Sequence, residues 1–534
     1  MKDSKFLLVE LEKYADQMLV SHEIFQYDPF DCIELAGGIV EEAWQNHIYE
    51  WFGGLEILIP LLLLNKSGST RQPTIEIVAK ALDLAQDYYH LRDYFYYTYN
   101  LPNAISWNFN SENQVKIEIN DKSLPLQLFL ELNNSFLGSK ELYSDYELGK
   151  KIESLDNEVD DEFSPSQQVF QAYDICVKEA EIKLAHDFYY SFLPDDLVFD
   201  SYSIGQFYKV YTHIAARARL RRYFLEKRVR KRLSSFPNYI RPSKNDFVES
   251  LMEATNLGRS VVVEVLNDMT LDEFKIAKNQ SISSFPLIFN LKDDFYYLFP
   301  NIICFSNCFN SLRKLWALKD PAKYGEKIAP HVNANFVRYV SKLLTDSGFS
   351  YVMSDIELKR DFVDLSDIDI LAFCREHGFG YVVLACELKS VIPETFGKDY
   401  VSSVGPKGYL TKALSQVRKI HGFLDGKEFL KLVKKTLPKE LFEYGLYGLI
   451  FLVITSHNIG VFVATDEAKV IDHQTLRYVL RSSRGDILHL LKLLDKKEFG
   501  QVCSQCYKIL RKEAQFGRFQ ISIPMVGLTK LLLL

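Results

Sequence analysis

Three acidic residues and a lysine stand in two apolar stretches of this chain, Ser366-Asp-Ile-Asp-Ile-Leu-Ala-Phe373 and Val382-Val-Leu-Ala-Cys-Glu-Leu-Lys389. Side chains alternate along a strand, so Tyr381, Val383, Ala385, Glu387 and Lys389 share one face, and Val382, Leu384, Cys386 and Leu388 share the other. Both faces are apolar until Glu387. An ionised group at the end of a buried strand is costly unless it is paired or holds a metal. The preceding stretch repeats the pattern, with Asp369 in phase with Leu371 and Phe373. Hard carboxylate oxygens beside an ammonium suit a divalent cation and a water activated for attack on a phosphodiester. The plain alternative is an ion pair between Lys389 and Asp369 or Glu387.

Setting, not the triplet, singles out Glu387 and Lys389, because Glu-x-Lys recurs at Glu181/Lys183, Glu273/Lys275, Glu357/Lys359 and Glu467/Lys469. Asp364 and Asp367 lie just upstream, and period-two alternation puts Asp367 on the face of Asp369. Asp369 is preferred as the ligand because the apolar strand body follows it directly.

The elements that must position these groups read in order as a helix over about 329–345 and strands over about 350–359, 367–374 and 380–389. A helix over about 410–424, a strong strand at Gly448–Thr455 and another over about 460–464 follow. On the second helix Gln416 shares a face with Lys412 and Lys419, while Leu414, Val417 and Ile420 can face the sheet.

This order of elements, with its Asp strand, Glu-x-Lys strand and glutamine helix, resembles the PD-(D/E)xK nuclease superfamily in its Mrr-like and RecB-like branches. The likeness covers roughly residues 325–480, under a third of the chain. It implies a restriction-endonuclease-like α/β domain with a mixed central sheet. It implies that Asp369, Glu387 and the Leu388 carbonyl ligate Mg²⁺ or Mn²⁺. Lys389 would orient or help deprotonate the attacking water, Gln416 would position water or phosphate, and Lys412, Arg418 and Lys419 would contact the nucleic-acid backbone. One feature departs from the pattern: the first helix, His331-Val-Asn-Ala-Asn-Phe-Val-Arg-Tyr-Val-Ser, carries no acid, and Glu326 lies upstream of it. One metal is therefore expected rather than two.

At 534 residues the chain needs more than one core. The expected organisation is multidomain: a helical domain over 1–155, a second helical region over 167–320 ending in a β-hairpin near Phe285–Pro300, and the α/β domain over 325–534. The acidic stretch Asp156–Ser166 reads as a linker. Residues 245–275 read as helix, turn, helix, with DNA reading a minor option. The net charge of −7 is uneven: residues 321–534 hold 30 Lys and Arg against 23 Asp and Glu, leaving 33 against 47 for residues 1–320. A basic C-terminal half suits a polyanion, and an acidic N-terminal half suits a protein partner. The run Arg217–Arg232 has nine basic residues and one Glu, so Arg217, Arg221 and Arg228 are candidate phosphate contacts, with a solvated helix face as the alternative.

Glu10, Glu12 and Lys13 interrupt any secretory signal, and the apolar run Leu55–Leu64 falls short of the roughly 20 residues a bilayer requires. A cytoplasmic location without membrane contact is expected. The eight cysteines read as free thiols, a zinc site built from Cys304, Cys308, Cys503 and Cys506 being the lesser option. Zinc-hydrolase and P-loop motifs are absent. The resulting expectation is a metal-dependent endonuclease, on DNA before RNA, whose helical module senses, binds or assembles, with homo-oligomers left open and prokaryotic antiviral defence or restriction as an analogy. A nucleic-acid-binding or scaffold protein with an inactive nuclease fold is the competitor.

Overall fold

The computed structural model describes residues 4–529 except 46–50, 66–68, 102, 111–112, 122–123, 127, 130–149, 151, 153–166, 187–191, 232–237, 279, 307, 358, 361–362, 365–366, 377–379, 393–400, 404, 406–407, 424–426, 428–430, 432–433, 435–438, 440–445, 458–467, 496–498 and 500–502. The linker expected at 156–166 and the strand expected at 460–464 lie outside the described residues. In chain order the strands are β1 (Ile105–Phe109), β2 (Gln114–Ile119), β3 (Leu287–Asn290), β4 (Phe295–Leu298), β5 (Tyr351–Ile356), β6 (Lys359–Arg360), β7 (Val363–Asp364), β8 (Ile368–Glu376), β9 (Gly380–Lys389), β10 (Leu446–Thr455), β11 (Lys469–Asp472), β12 (Tyr507–Phe516) and β13 (Phe519–Leu528). The protein is a mixture of helices and mixed sheets, and no helix among the described residues is long and apolar enough to cross a membrane.

A mixed five-stranded sheet, ordered β11-β10-β9-β8-β5, carries the two stretches singled out above. β5, β8 and β9 run antiparallel in turn, whereas β9, β10 and β11 are parallel. Helices cover both faces, which is why β9 is apolar on both sides and buried from Gly380 to Leu388. On one face the helix Ala329–Asp346 presents Val332, Phe336, Val340 and Leu344, one side of a 3.6-residue repeat, to Ile370, Ala372, Leu384 and Cys386. That helix ends in a Schellman motif: Gly348, at φ +96°, donates its N–H to Thr345, and Phe349 donates to Leu344. The chain thereby turns into β5. On the other face the glutamine helix, Tyr409–Phe423, buries Leu410, Ala413, Leu414, Val417 and Ile420 against Leu371, Phe373, Val383 and Ala385. Gly408 precedes it, and a Cβ there would lie 2.1 Å from the Ser403 carbonyl oxygen. Only glycine lets the helix start so close to that backbone.

The helical half has a different construction. The long helix Ile204–Lys231 is flanked by helices Gln167–His186, Lys244–Thr255 and Arg259–Met269, and the hairpin β3–β4 follows as expected. One apolar cluster runs from Phe207, Phe247 and Leu266 through Trp316 and Phe336 to Ile370 and Leu384. The second helical region and the α/β sheet therefore share a core, in place of the boundary expected near residue 320. A second departure concerns the C-terminus. β12 and β13 form a hairpin, and β13 runs parallel to β2 in the sheet β1-β2-β13-β12. Ala514, Phe516, Phe519, Ile521 and Ile523 pack with Leu11, Leu91 and Val115. The last strands thus complete the core of the N-terminal region, while Tyr507, Val526 and Leu528 at their far ends pack against the cluster shared with the α/β sheet.

Candidate active site

β8 and β9 pair antiparallel with Ile370 opposite Cys386 and Leu371 opposite Ala385. One step further along this register Asp369 faces Glu387, on the side of the sheet covered by the glutamine helix. The alternation read from the sequence therefore holds: Leu371, Val383 and Ala385 join that helix's core, and Asp369, Glu387 and Lys389 continue the same face to its end.

The groups touch one another. Lys389 Nζ lies 2.5 Å from Glu387 Oε1 and donates to Gln416 Oε1 at 2.8 Å. The Leu388 backbone N–H donates to Asp369 Oδ2 at 2.6 Å. Four residues from three elements form one connected cluster: Asp369, Glu387 and Lys389, which strand alternation put on one face, and Gln416, which the resemblance brought to them. Glu387 is 3% exposed, and its second oxygen, Oε2, is buried without a hydrogen-bond partner. A buried carboxylate oxygen left unpaired is expensive, and such groups mark strain or a ligand's place.

Electrostatics follow from that geometry. Burial pushes the Glu387 carboxyl up to about 7, and the neighbouring Asp369 charge adds to the rise while Lys389 opposes it. Asp369 is raised for the same first reason, with the Leu388 N–H and Lys389 pulling it down and Asp355 and Asp367 pushing it up. Two acids that resist joint ionisation are a poor structural choice and a good cation site.

Asp355 was not anticipated. It sits in β5 at φ +54°, between the pairs Ser354–Ile370 and Ile356–Ile368, where the ladder skips the position across from Asp369. The available sequence signal was the break that Ser354-Asp355 makes in an otherwise apolar strand start, which strand periodicity alone passes over. Asp367 is exposed, and the Asp364 side chain lies outside the described residues. Glu326 is exposed on the short helix Pro321–Lys327, and the first turn of Ala329–Asp346 has no acid.

The metal question can be put to these donors directly. Among the described residues no three His, Cys, Asp or Glu side chains gather so as to hold an ion. What remains is a two-carboxylate oxygen set, with Asp369 Oδ2 and Glu387 Oε1 already engaged and Glu387 Oε2 open. Mg²⁺ keeps several waters and is commonly held by one or two carboxylates, so this set fits it.

The surface expected to meet the nucleic-acid backbone divides in two. Lys412, Arg418 and Lys419 are exposed on the outer side of the glutamine helix. The run in Ile204–Lys231 is not a solvated face in its first turns: Arg219 and Arg221 are 7% and 2% exposed, and Arg217 lies over the Phe247 ring at 5.5 Å. The helix is central to its region and buries the Arg221 side chain, so the phosphate contact read there does not carry over, while Arg217 is half-buried. Arg228 belongs to the same helix, and its side chain lies outside the described residues. Cys304, Cys503 and Cys506 are buried and form no disulfide, while the Cys308 side chain lies outside the described residues.

No family model, curated protein or solved structure matches this chain.

Proposed function

We propose that the chain is a metal-dependent phosphodiesterase, an endonuclease of the PD-(D/E)xK kind acting on DNA in preference to RNA. The observation that carries this reading is the unpartnered, buried Glu387 Oε2 across from Asp369, with Lys389 spanning Glu387 and Gln416. The mixed sheet flanked by two helices supports it as the scaffold. Asp369 and Glu387 would hold Mg²⁺ or Mn²⁺, with the Leu388 carbonyl beside them. The ion would supply Lewis-acid stabilisation of phosphate charge and a more acidic water. Lys389, a fixed ammonium, donates hydrogen bonds toward the developing phosphorane charge. Gln416 holds Lys389 through Oε1, which leaves its amide nitrogen as the donor for water or phosphate. Lys412, Arg418 and Lys419 bind the backbone alongside by neutralising phosphates. The helical module would bind or assemble, and a role in prokaryotic antiviral defence or restriction remains analogy.

A second reading has its own observation. The 2.5 Å contact between Lys389 and Glu387 would equally suit the ion pair of an inactive fold that binds nucleic acid or a protein partner. Incubating supercoiled plasmid and a structured RNA with the full chain in Mg²⁺, Mn²⁺ and EDTA separates the two. Cation-dependent cutting that Asp369→Ala abolishes supports the enzyme. Binding without cutting in either cation supports the inactive fold.

A further inference from the structure

The parallel strands β9 and β10 end side by side, and the segment after Lys389 is held from two directions. Ser456, just past β10, donates its N–H to the Lys389 carbonyl at 3.0 Å. Its hydroxyl accepts from the Val391 N–H at 2.8 Å. These contacts belong to the sheet itself. The other hold comes from the helical half. Arg313, on the helix Cys308–Lys319, is 1% exposed, and its Nη2 donates to the Ser390 hydroxyl at 3.2 Å. Its Nε donates to the Tyr324 hydroxyl at 3.1 Å, and its guanidinium lies 5.7 Å from the Phe309 ring. One turn earlier Asn310 lies 3.2 Å from His457 Nε2, just beyond Ser456. One helix therefore grips the ends of both strands.

A guanidinium buried this deeply is costly, and its planar fork makes it a stiff spacer rather than a mobile charge. It spans helix, Tyr324 and the residue bonded to Lys389. We propose that Arg313 is a positioning residue for Lys389: through Ser390 it sets where the lysine stands relative to Glu387 and Gln416, and so couples the helical half to the reaction centre. Arg313 touches none of the reacting groups. The inference rests on the endonuclease reading and adds to it the route by which the helical region governs that site. A displacement of about an ångström at a reacting group is enough to cost a large share of the rate.

Ser390→Ala removes the acceptor with almost no change in volume, and Arg313→Lys keeps the charge while losing the fork. In the full chain with Mg²⁺ and plasmid DNA, each is expected to lower kcat per folded molecule about tenfold with KM for DNA unmoved, and the melting temperature falls as well because a buried guanidinium loses a partner. Arg313→Lys combined with Ser390→Ala should be no slower than the slower single variant, because both break the same contact. Arg313→Met should be slower than Arg313→Lys. If the wild-type chain cuts and Ser390→Ala cuts at the same rate, the inference is overturned and the nuclease reading stands. A loss that disappears when rates are normalised to the folded fraction, or that adds between the two variants, overturns it equally. A wild-type chain inactive in both Mg²⁺ and Mn²⁺ removes the endonuclease reading and this inference together.

Discussion

Two glutamates lie buried in the two halves of this protein, and their surroundings differ in a way that burial alone does not reveal. Glu41, 1% exposed on the helix Pro29–Gln45, faces the start of the short helix Pro300–Phe305. Its Oε1 accepts from the Asn301 N–H at 2.8 Å, and its Oε2 accepts from Asn301 Nδ2 at 2.5 Å. Both oxygens have donors, and no second acid figures among the influences on its ionisation. Glu387 is 3% exposed, has one oxygen on Lys389 and the other on nothing, and faces Asp369. Burial raises both carboxyls, to about 8 for Glu41 and about 7 for Glu387. What separates a structural acid from a ligand-binding one is unmet hydrogen-bonding capacity beside a like charge.

The largest effect expected from that difference is on cleavage. Lys389→Ala should reduce Mg²⁺-dependent cutting about 10²–10³-fold, the scale of losing one preorganised charge donor, with the fold intact. Glu41→Ala should leave the rate per folded molecule unchanged. Plasmid nicking normalised to the folded fraction reads both, and equal losses would erase the contrast.

Stability should respond the other way round. Glu41→Ala strands the backbone donors of Asn301 and Ile302 and should cost about 1–3 kcal/mol in denaturant melts. Glu387→Gln, measured in EDTA, removes a charge repelled by Asp369 and should be neutral or stabilising. A Glu387→Gln variant as damaged as Glu41→Ala would show that Glu387 is an ordinary structural acid.

The pH dependence sharpens the same comparison. Both carboxyls sit above their ordinary value of 4.5, so the native state holds protons that the unfolded chain has released. Stability therefore falls as pH rises from that value, up to about 7 for Glu387 and about 8 for Glu41, and flattens above. Glu387→Gln should make the decline up to about 7 shallower, and Glu41→Gln should make it shallower up to about 8, leaving no fall between about 7 and 8. Saturating Mg²⁺ should flatten only the Glu387 part, since a cation favours its charged form. Thermal melts between pH 5 and pH 9 with Mg²⁺ or EDTA check this, on a scale comparable to the previous effect. The smallest expected change is at the surface: Lys412→Ala and Lys419→Ala should each reduce the slope of log affinity against log salt by roughly 1, with little effect on kcat.

The α/β sheet was legible because its signals are local. Two-residue alternation put Asp369, Glu387 and Lys389 on one face, and 3.6-residue periodicity turned Leu414, Val417 and Ile420 inward, whereas Gln416 came to the site only through the family resemblance. Strand ends matched within a few residues: β8 spans Ile368–Glu376 where 367–374 was expected. Long-range placement was not legible. Nothing local in Phe519-Gln-Ile-Ser-Ile523 says that it pairs with Val115, although alternation on either side of the turn at Gly517 and Arg518 marks a hairpin. Arg221 shows the same limit. Its neighbours in sequence are basic and suggest a solvated face, while its neighbours in space bury it. Asp355 escaped notice although its strand was expected, because its place across from Asp369 depends on how β5 pairs with β8 and on a left-handed backbone.

Cleavage of supercoiled plasmid by the full chain, with Lys389→Ala beside it and each protein assayed in Mg²⁺, Mn²⁺ and EDTA, bears most directly on the site at the end of β9. Cutting by the wild-type chain in a divalent cation, none in EDTA and a loss of about 10²–10³-fold in Lys389→Ala is the predicted result. Cutting that survives EDTA, or that Lys389→Ala retains in full, contradicts it.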